Sequence, residues 1–362
     1  MSKIRFALIG CGRIAKNHAA PLQEIANAEL VAVCDLQSDR AQSAGERYHV
    51  PSYINYHEML QKESVDVVNI LTPSGMHARH ALDIIQRYQK HVVLEKPMVL
   101  RWKDIDTLKK AARRHHVKIF PVYQNRYNKA VQRVRKDLQS GLLGKPVLGA
   151  IRLRWCRPQG YYDRDPWRGT WAMDGGALTN QGIHYIDLLQ YLMGDVVSVD
   201  TRTATRLVNV EVEDTAVATL QFKSGALGVL EITTAARPED FGASISVLAE
   251  KGTAILTGIA CNILETYTPR PEDCASNSEE FPDAYGYGHW PFFKDVLADL
   301  LDNKPHPLSI DEGARAIRLL NALYRSAEDN KRVRVADQKN SKRLGQENLA
   351  LIKRYTTSLP RQ

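Results

Sequence analysis

Paired cysteines, long apolar runs and any excess of acidic residues are missing from this 362-residue chain. Its five cysteines, Cys11, Cys34, Cys156, Cys261 and Cys274, are odd in number and show no paired spacing, which argues against a disulfide framework or a zinc site. They read as reduced thiols, and no metal is expected. No uninterrupted stretch approaches the roughly 20 apolar residues of a membrane span, and the run from Ile4 to Ile9 is too short for a signal-peptide core. A cytoplasmic protein without a membrane partner is expected.

The formal charge of +8 is unevenly spread: from Lys331 to the end nine Lys and Arg stand against two acids, a net +7. The rest of the chain is therefore close to neutral. No nucleic-acid module accompanies the basic end, so it reads as a solvated or oligomer-packing extension, and no nucleic-acid partner is expected.

What is present is two styles of patterning. From Ile4 to about Val122, short apolar runs (IRFALI, LVAVCD, VDVVNIL, HVVLE, VKIFPV) alternate with helical patterns starting near Arg13, Ser38, Met76 and Lys103. That alternation predicts a parallel sheet covered on both faces. After a helix from Asn128 to Ser140, strand-like segments follow one another with few helices between them, which predicts a large, mostly antiparallel sheet. Helices return at about 291–301 and 310–327, and 269–283 reads as a mobile loop. The fold class is thus α/β plus α+β: residues 1–124 a Rossmann domain, 125–335 a substrate-binding and oligomerisation domain, 336–362 a basic extension.

Gly10, Gly12 and Ala15 form G-x-G-x-x-A directly after the first strand and at the mouth of a helix. Gly10 permits the tight turn, Gly12 lets backbone amides approach a pyrophosphate, and the small Ala15 allows close helix-sheet packing. Asp35 ends the second strand, where a carboxylate accepts hydrogen bonds from both adenosine ribose hydroxyls. A carboxylate there repels the 2′-phosphate of NADP, so NAD is the expected cofactor, although Arg40 lies nearby. Farther on, Lys96 precedes Pro97 and should stay extended at the carboxyl end of its strand, the rim where open α/β sheets bind ligands. A lysine in that place can stabilise a developing alkoxide. The run GGALTNQGIHYIDLL (175–189) sets Asn180 four residues before His184 at a helix entrance.

The glycine turn, Glu95-Lys96-Pro97 and this run, followed by a largely antiparallel domain, resemble the Gfo/Idh/MocA oxidoreductase family across roughly residues 3–335. The resemblance implies NAD held by Gly10, Gly12, Arg13, Ile14, Asp35, Thr72, Pro73, His77, Glu95 and Lys96. It also implies that Lys96 and His184 flank the reacting carbinol, with His184 as general base, since an imidazole of pKa ~6.5 suits that task. Asn180 departs from the aspartate common in the family. An amide only donates and accepts hydrogen bonds, so proton transfer should rest on His184, with Asn180 orienting the substrate or the ring. Asp187, three residues on, is either a support for His184 or a structural acid.

Together with QNRYN (124–128) and YYDRDPWRGTW (161–171), the amide variant is most similar to the branch that oxidises the sugar C3 hydroxyl of UDP-N-acetylglucosaminuronate with NAD in making bacterial surface polysaccharides, lipopolysaccharide O-antigen among them. A diphosphate and a uronate need fixed cations, and Arg126, Arg164 and Arg168 offer planar forks. Tyr127, Arg168, Thr170, Asn180, His184, Lys96 and Arg126 are the expected substrate contacts. Tyr161, Tyr162, Trp167 and Trp171 either cover a sugar or pack the loop. The loop Tyr285 to His289 has hinge-like glycines and a possible closing role. The family's paired sheet faces imply a homotetramer. A dehydrogenase of inositol or another sugar, an NAD-dependent glycoside hydrolase and a non-catalytic NAD-binding regulator remain as alternatives.

Overall fold

The computed structural model describes residues 3–359. Six strands, β1 (Ile4–Ile9), β2 (Ala28–Cys34), β3 (Ser52–Tyr53), β4 (Val67–Ile70), β5 (His91–Leu94) and β6 (Ile119–Pro121), form a parallel sheet in the order β3-β2-β1-β4-β5-β6. Apolar side chains on both faces of these strands bury themselves under helices, which is why the runs read as continuous rather than alternating. Strand order reverses between β1 and β4, so the loops after β1, β2, β4 and β5 open a crevice on one rim.

The second sheet has eight strands: β7 (Pro146–Arg154), β8 (Val196–Ala204), β9 (Thr215–Phe222), β10 (Leu227–Thr233), β11 (Ala243–Ala249), β12 (Gly252–Thr257), β13 (Ile263–Tyr267) and β14 (Val333–Arg334). All pairings are antiparallel except β7 with β10. Helices Ile183–Met193 and Ile310–Asp329 pack against this sheet and bury one side of it. Val217, Leu227 and Val229 remain exposed on its strands. No helix of the described residues is long and apolar enough to cross a membrane.

Three features differ from the sequence reading. Helix His289–Leu301 follows the second sheet in sequence but buries Phe292, Phe293 and Val296 in the same cluster as Phe6, Leu8 and Val33 of the first. Phe293 meets Phe6 edge-on at 5.7 Å between ring centroids. Apolar burial, not chain order, therefore decides which sheet this helix covers. The stretch 269–283 holds a helical turn, Asp273–Ser276. The basic C-terminal segment is not simply solvated: Leu344 is buried, and Ser341 N donates to Asn321 Oδ1 at 2.9 Å.

The two halves meet where Gly75, after β4, docks on the segment before Gly175. Gly75 N donates to Met173 O at 2.9 Å, and a Cβ at Gly75 would lie 2.2 Å from Ala172 O, a backbone atom that cannot swing away. Gly75→Ala is expected to cost ~2 kcal/mol through this overpacking. Gly160→Ala, where a Cβ meets nothing within 4 Å, is expected to change stability little. Urea denaturation of both variants checks the contrast, and equal midpoints would refute the seam as a close contact.

Candidate active site

A cavity of about 670 Å³ runs along the crevice, and Gly10, Gly12, Arg13, Ile14, Asp35, Thr72, Pro73, His77, Glu95 and Lys96 all line it. Gly10 has φ +100°, and a Cβ there would sit 2.6 Å from Leu71 O, so only glycine fits the turn. Gly12 faces open space, leaving its backbone approachable. Helix Ala15–Glu24 begins without a side-chain cap, so its positive end is available to an anion. Asp35 accepts from Cys11 N at 2.8 Å and from Gln37 N at 2.9 Å, which fixes its carboxylate at the end of β2 with lone pairs to spare for two hydroxyls. Arg40 turns instead to Asp165 at 3.3 Å. These residues fit a dinucleotide whose ribose carries no 2′-phosphate.

His77 sits between Thr72 O and Pro97 O, 2.8 Å from each, and so joins the loop after β4 to the one after β5. Beneath Lys96 lies a buried cluster. Asn69 Nδ2 donates to His18 Nδ1 at 3.2 Å, which leaves the proton on His18 Nε2 to be donated to Glu95 Oε1 at 3.0 Å. Burial lowers the pKa of His18, consistent with a neutral ring, while the His18 hydrogen bond holds Glu95 well below the usual carboxylate range against its burial. Glu95 Oε2 accepts from Lys96 N at 2.9 Å. His289 stands 3.8 Å from Glu95, too far for a hydrogen bond, and neither of its ring nitrogens has a partner among the described residues. The donor atoms of His18, Glu95 and His289 lie within 4.8 Å of one another, a convergence that no sequence spacing announces.

Lys96 Nζ donates to Asn180 O at 3.0 Å. Burial lowers the pKa of Lys96, and the charges of Glu95 and Asp174 oppose that shift. His184 neighbours the same group: burial and the Lys96 charge push its pKa well down, so the imidazole is neutral. Its Nδ1 is shut away from solvent without a partner, which leaves Nε2 to meet a ligand. His184 is half-buried and is not among the residues that line the cavity. Asn180 and His184 do not share one continuous helix. A turn, Ala177–Asn180, ends at Gln181 and Gly182, and a new helix starts at Ile183. Gly182 is required there because a Cβ would meet Leu178 O at 2.8 Å.

Sequence reasoning missed Asp174. This buried carboxylate accepts from Gly169 N at 2.8 Å and from the Asn180 amide, and burial raises its pKa to about 6. The departure at Asn180 is thus accompanied by an acid in direct contact with it. Glu213 was missed as well. It accepts from Leu178 N at 3.0 Å and Tyr324 Oη at 2.8 Å, and it fills the space a Cβ on Gly176 would need. The only sequence signal was an acid beside Gly175-Gly176; nothing local pointed to Glu213.

Arg164, Trp167, Arg168, Tyr161 and Asn180 line the far end of the cavity. Arg168 donates to Tyr161 Oη at 2.6 Å, and its guanidinium stacks 4.6 Å from the Tyr161 ring and 4.5 Å from the Trp167 ring. Tyr285 also lines the cavity. Three expected substrate contacts lie elsewhere. Arg126 is buried in a bidentate pair with Asp187 at 2.8 and 2.6 Å, which also removes Asp187 from His184. Tyr127 donates to Asp295 at 2.6 Å. Thr170 Oγ1 donates to Trp167 O at 2.8 Å and accepts from Met173 N, closing its own turn. Tyr162 and Trp171 likewise pack the loop, against Thr234 and Tyr324.

Two expectations follow. Because Asp174 binds its proton more tightly folded than unfolded, its contribution to stability is present below pH ~4 and lost as pH rises through about 6. Asp174→Asn should therefore show a shallower fall in stability across that window, the difference reaching ~3 kcal/mol; parallel pH profiles in chemical denaturation would refute it. Arg126→Leu leaves Asp187 buried and unpaired and should cost ~3–5 kcal/mol, whereas Arg126→Leu with Asp187→Leu should recover much of the loss. A double variant no more stable than the single one would contradict a purely structural pair.

Residues 4–123 match the oxidoreductase family with an NAD-binding Rossmann fold, and residues 131–255 match the GFO/IDH/MocA C-terminal domain. Among solved structures, the WlbA dehydrogenase of Bordetella pertussis in complex with NADH and UDP-GlcNAcA is 38% identical, with a TM-score of 0.87 over 92% of this chain and 98% of that one. The WlbA enzyme of Chromobacterium violaceum, with the same two ligands, is 37% identical at a TM-score of 0.86, covering 92% of this chain and 96% of that one. Myo-inositol 2-dehydrogenase of Thermotoga maritima is 26% identical over 92% of this chain and 99% of its own length. The chain belongs to the Gfo/Idh/MocA family of NAD-dependent oxidoreductases.

Proposed function

We propose that the protein is an NAD-dependent 3-dehydrogenase of UDP-N-acetylglucosaminuronate, oxidising the sugar C3 hydroxyl to a ketone for surface polysaccharide assembly. The observation that carries this reading is the pair of WlbA neighbours bound to that sugar nucleotide, 38% and 37% identical across 92% of the chain, against 26% for the inositol enzyme. Arg164 and Arg168 at the cavity wall supply fixed cations for a diphosphate and a carboxylate, as a free polyol would not require.

NAD, held by the residues that line the crevice, would supply the acceptor for the hydride of the carbinol carbon. Lys96, whose positive charge Glu95 and Asp174 favour against its burial, donates a hydrogen bond to the hydroxyl and stabilises the alkoxide as it forms. His184, neutral beside that charge, takes the hydroxyl proton at Nε2. Asn180 donates its side-chain amide to Asp174 and accepts from Lys96 Nζ at its backbone carbonyl, so this residue's placement orients the lysine. The exposed apolar strip of Val217, Leu227 and Val229 suits pairing of sheets between subunits and supports a homotetramer.

Purified protein with NAD and UDP-N-acetylglucosaminuronate should form NADH, His184→Ala and Lys96→Met should each lower kcat about 100-fold or more, and Arg168→Ala should raise KM about tenfold or more. Turnover of inositol in place of the sugar nucleotide, indifferent to Arg168, would overturn the substrate assignment. Val229→Asp should shift the protein to a smaller species on sedimentation; an unchanged mass would exclude this face as the subunit contact.

A further inference from the structure

We propose that the C-terminal segment is part of the dinucleotide site: Tyr355 and Thr357 form the outer wall of its adenosine half, and the segment must lift for the cofactor to exchange. Both residues line the same cavity as Asp35, Leu36, Tyr56 and His80, at the end where β2 presents its ribose-binding carboxylate. Neither family match reaches them, ending at residues 123 and 255. The proposal rests on the cofactor alone and is independent of which sugar the enzyme oxidises.

The segment is tied down at both ends. At its start, Leu344 is buried and Gly345 N donates to Trp171 O at 2.8 Å, on the loop that carries Arg168. At its far end, Asn55 Nδ2 donates to Ser358 O at 2.9 Å. Between them, Tyr355 O receives a hydrogen bond from His80 Nε2 at 3.2 Å. With its proton on Nε2, His80 accepts at Nδ1 from the Thr72 hydroxyl, 3.0 Å away. One imidazole thus connects the loop after β4 to the C-terminal strap. The Thr357 side chain packs beside the Tyr56 hydroxyl, so the strap leans on a residue that lines the same end of the cavity.

The stretch between the anchors is weakly held. Helix Leu349–Arg354 buries no residue, and the Arg101–Glu347 contact is a 3.3 Å ion pair with Glu347 half exposed. Exposed pairs of this kind contribute ~0–1 kcal/mol, so the strap can open locally without unfolding the core. Lys353 and Arg354 end this helix and are exposed, so neither is held against the core. Cofactor release should therefore be limited by opening of the strap.

The test is NADH release alone, without sugar: excess NAD is mixed with the NADH complex and the loss of nicotinamide fluorescence is followed. A chain ending at Gln346 should release NADH at least tenfold faster than the full chain. Tyr355→Ala with Thr357→Ala, which leaves the anchors in place, should release it several-fold faster, with the thermal midpoint of the cofactor-free protein unchanged. Release rates within twofold of the full chain in the double variant would overturn the proposal, whether or not the shortened chain folds.

Discussion

An ammonium at the wall of the dinucleotide cavity and a half-buried imidazole stand within each other's field. Two positive charges there would repel strongly, so the site holds one, and the acids decide where. Glu95 lies beneath Lys96 and is kept ionised by His18; Asp174 faces the lysine across Asn180. Those acids oppose the lowering of the Lys96 pKa by burial, while burial and the lysine's charge together push His184 well down. A single electrostatic arrangement thus prepares a hydrogen-bond donor and a proton acceptor at the same time.

That arrangement depends on parts supplied by both halves of the chain. Glu95 and Lys96 follow β5 of the parallel sheet, whereas Asp174, Asn180 and His184 belong to the segment leading into helix Ile183–Met193. They stay in register because Gly75 allows backbone-to-backbone contact with Met173 and because Glu213 and Tyr324 support the Gly175-Gly176 turn from below. Helix His289–Leu301 adds a third tie by burying its phenylalanines against β1. Rigid support of this sort on secondary structure is what a hydride donor and its base need, since small displacements are costly in rate.

The sequence made the cofactor end legible because its determinants are local: a strand, two glycines and a carboxylate closing the next strand are read from adjacent residues. Lys96 was legible for the same reason, through Pro97 and its place after an apolar run. Arg126 misled because a guanidinium near a ligand and one sealed against a buried acid look alike in sequence; Asp187, 61 residues away, decides between them. Asp174, Glu213, His18 and His289 were illegible as partners because each acquires its role from a contact made only after folding. The same holds for the strap, whose basic composition resembled a solvated tail until its backbone met His80.

Almost all of the net +8 lies after residue 330, but the two residues of that stretch at the wall of the dinucleotide cavity, Tyr355 and Thr357, are uncharged. Exposed charge acts only over about 8–10 Å, the Debye length at physiological salt, so a basic residue of the strap bears on an entering anion only within that range. Discrimination between NAD and NADP still rests on Asp35, because both its oxygens are fixed by backbone amides and Arg40 is directed to Asp165. One oriented carboxylate at the end of β2 rejects the additional phosphate.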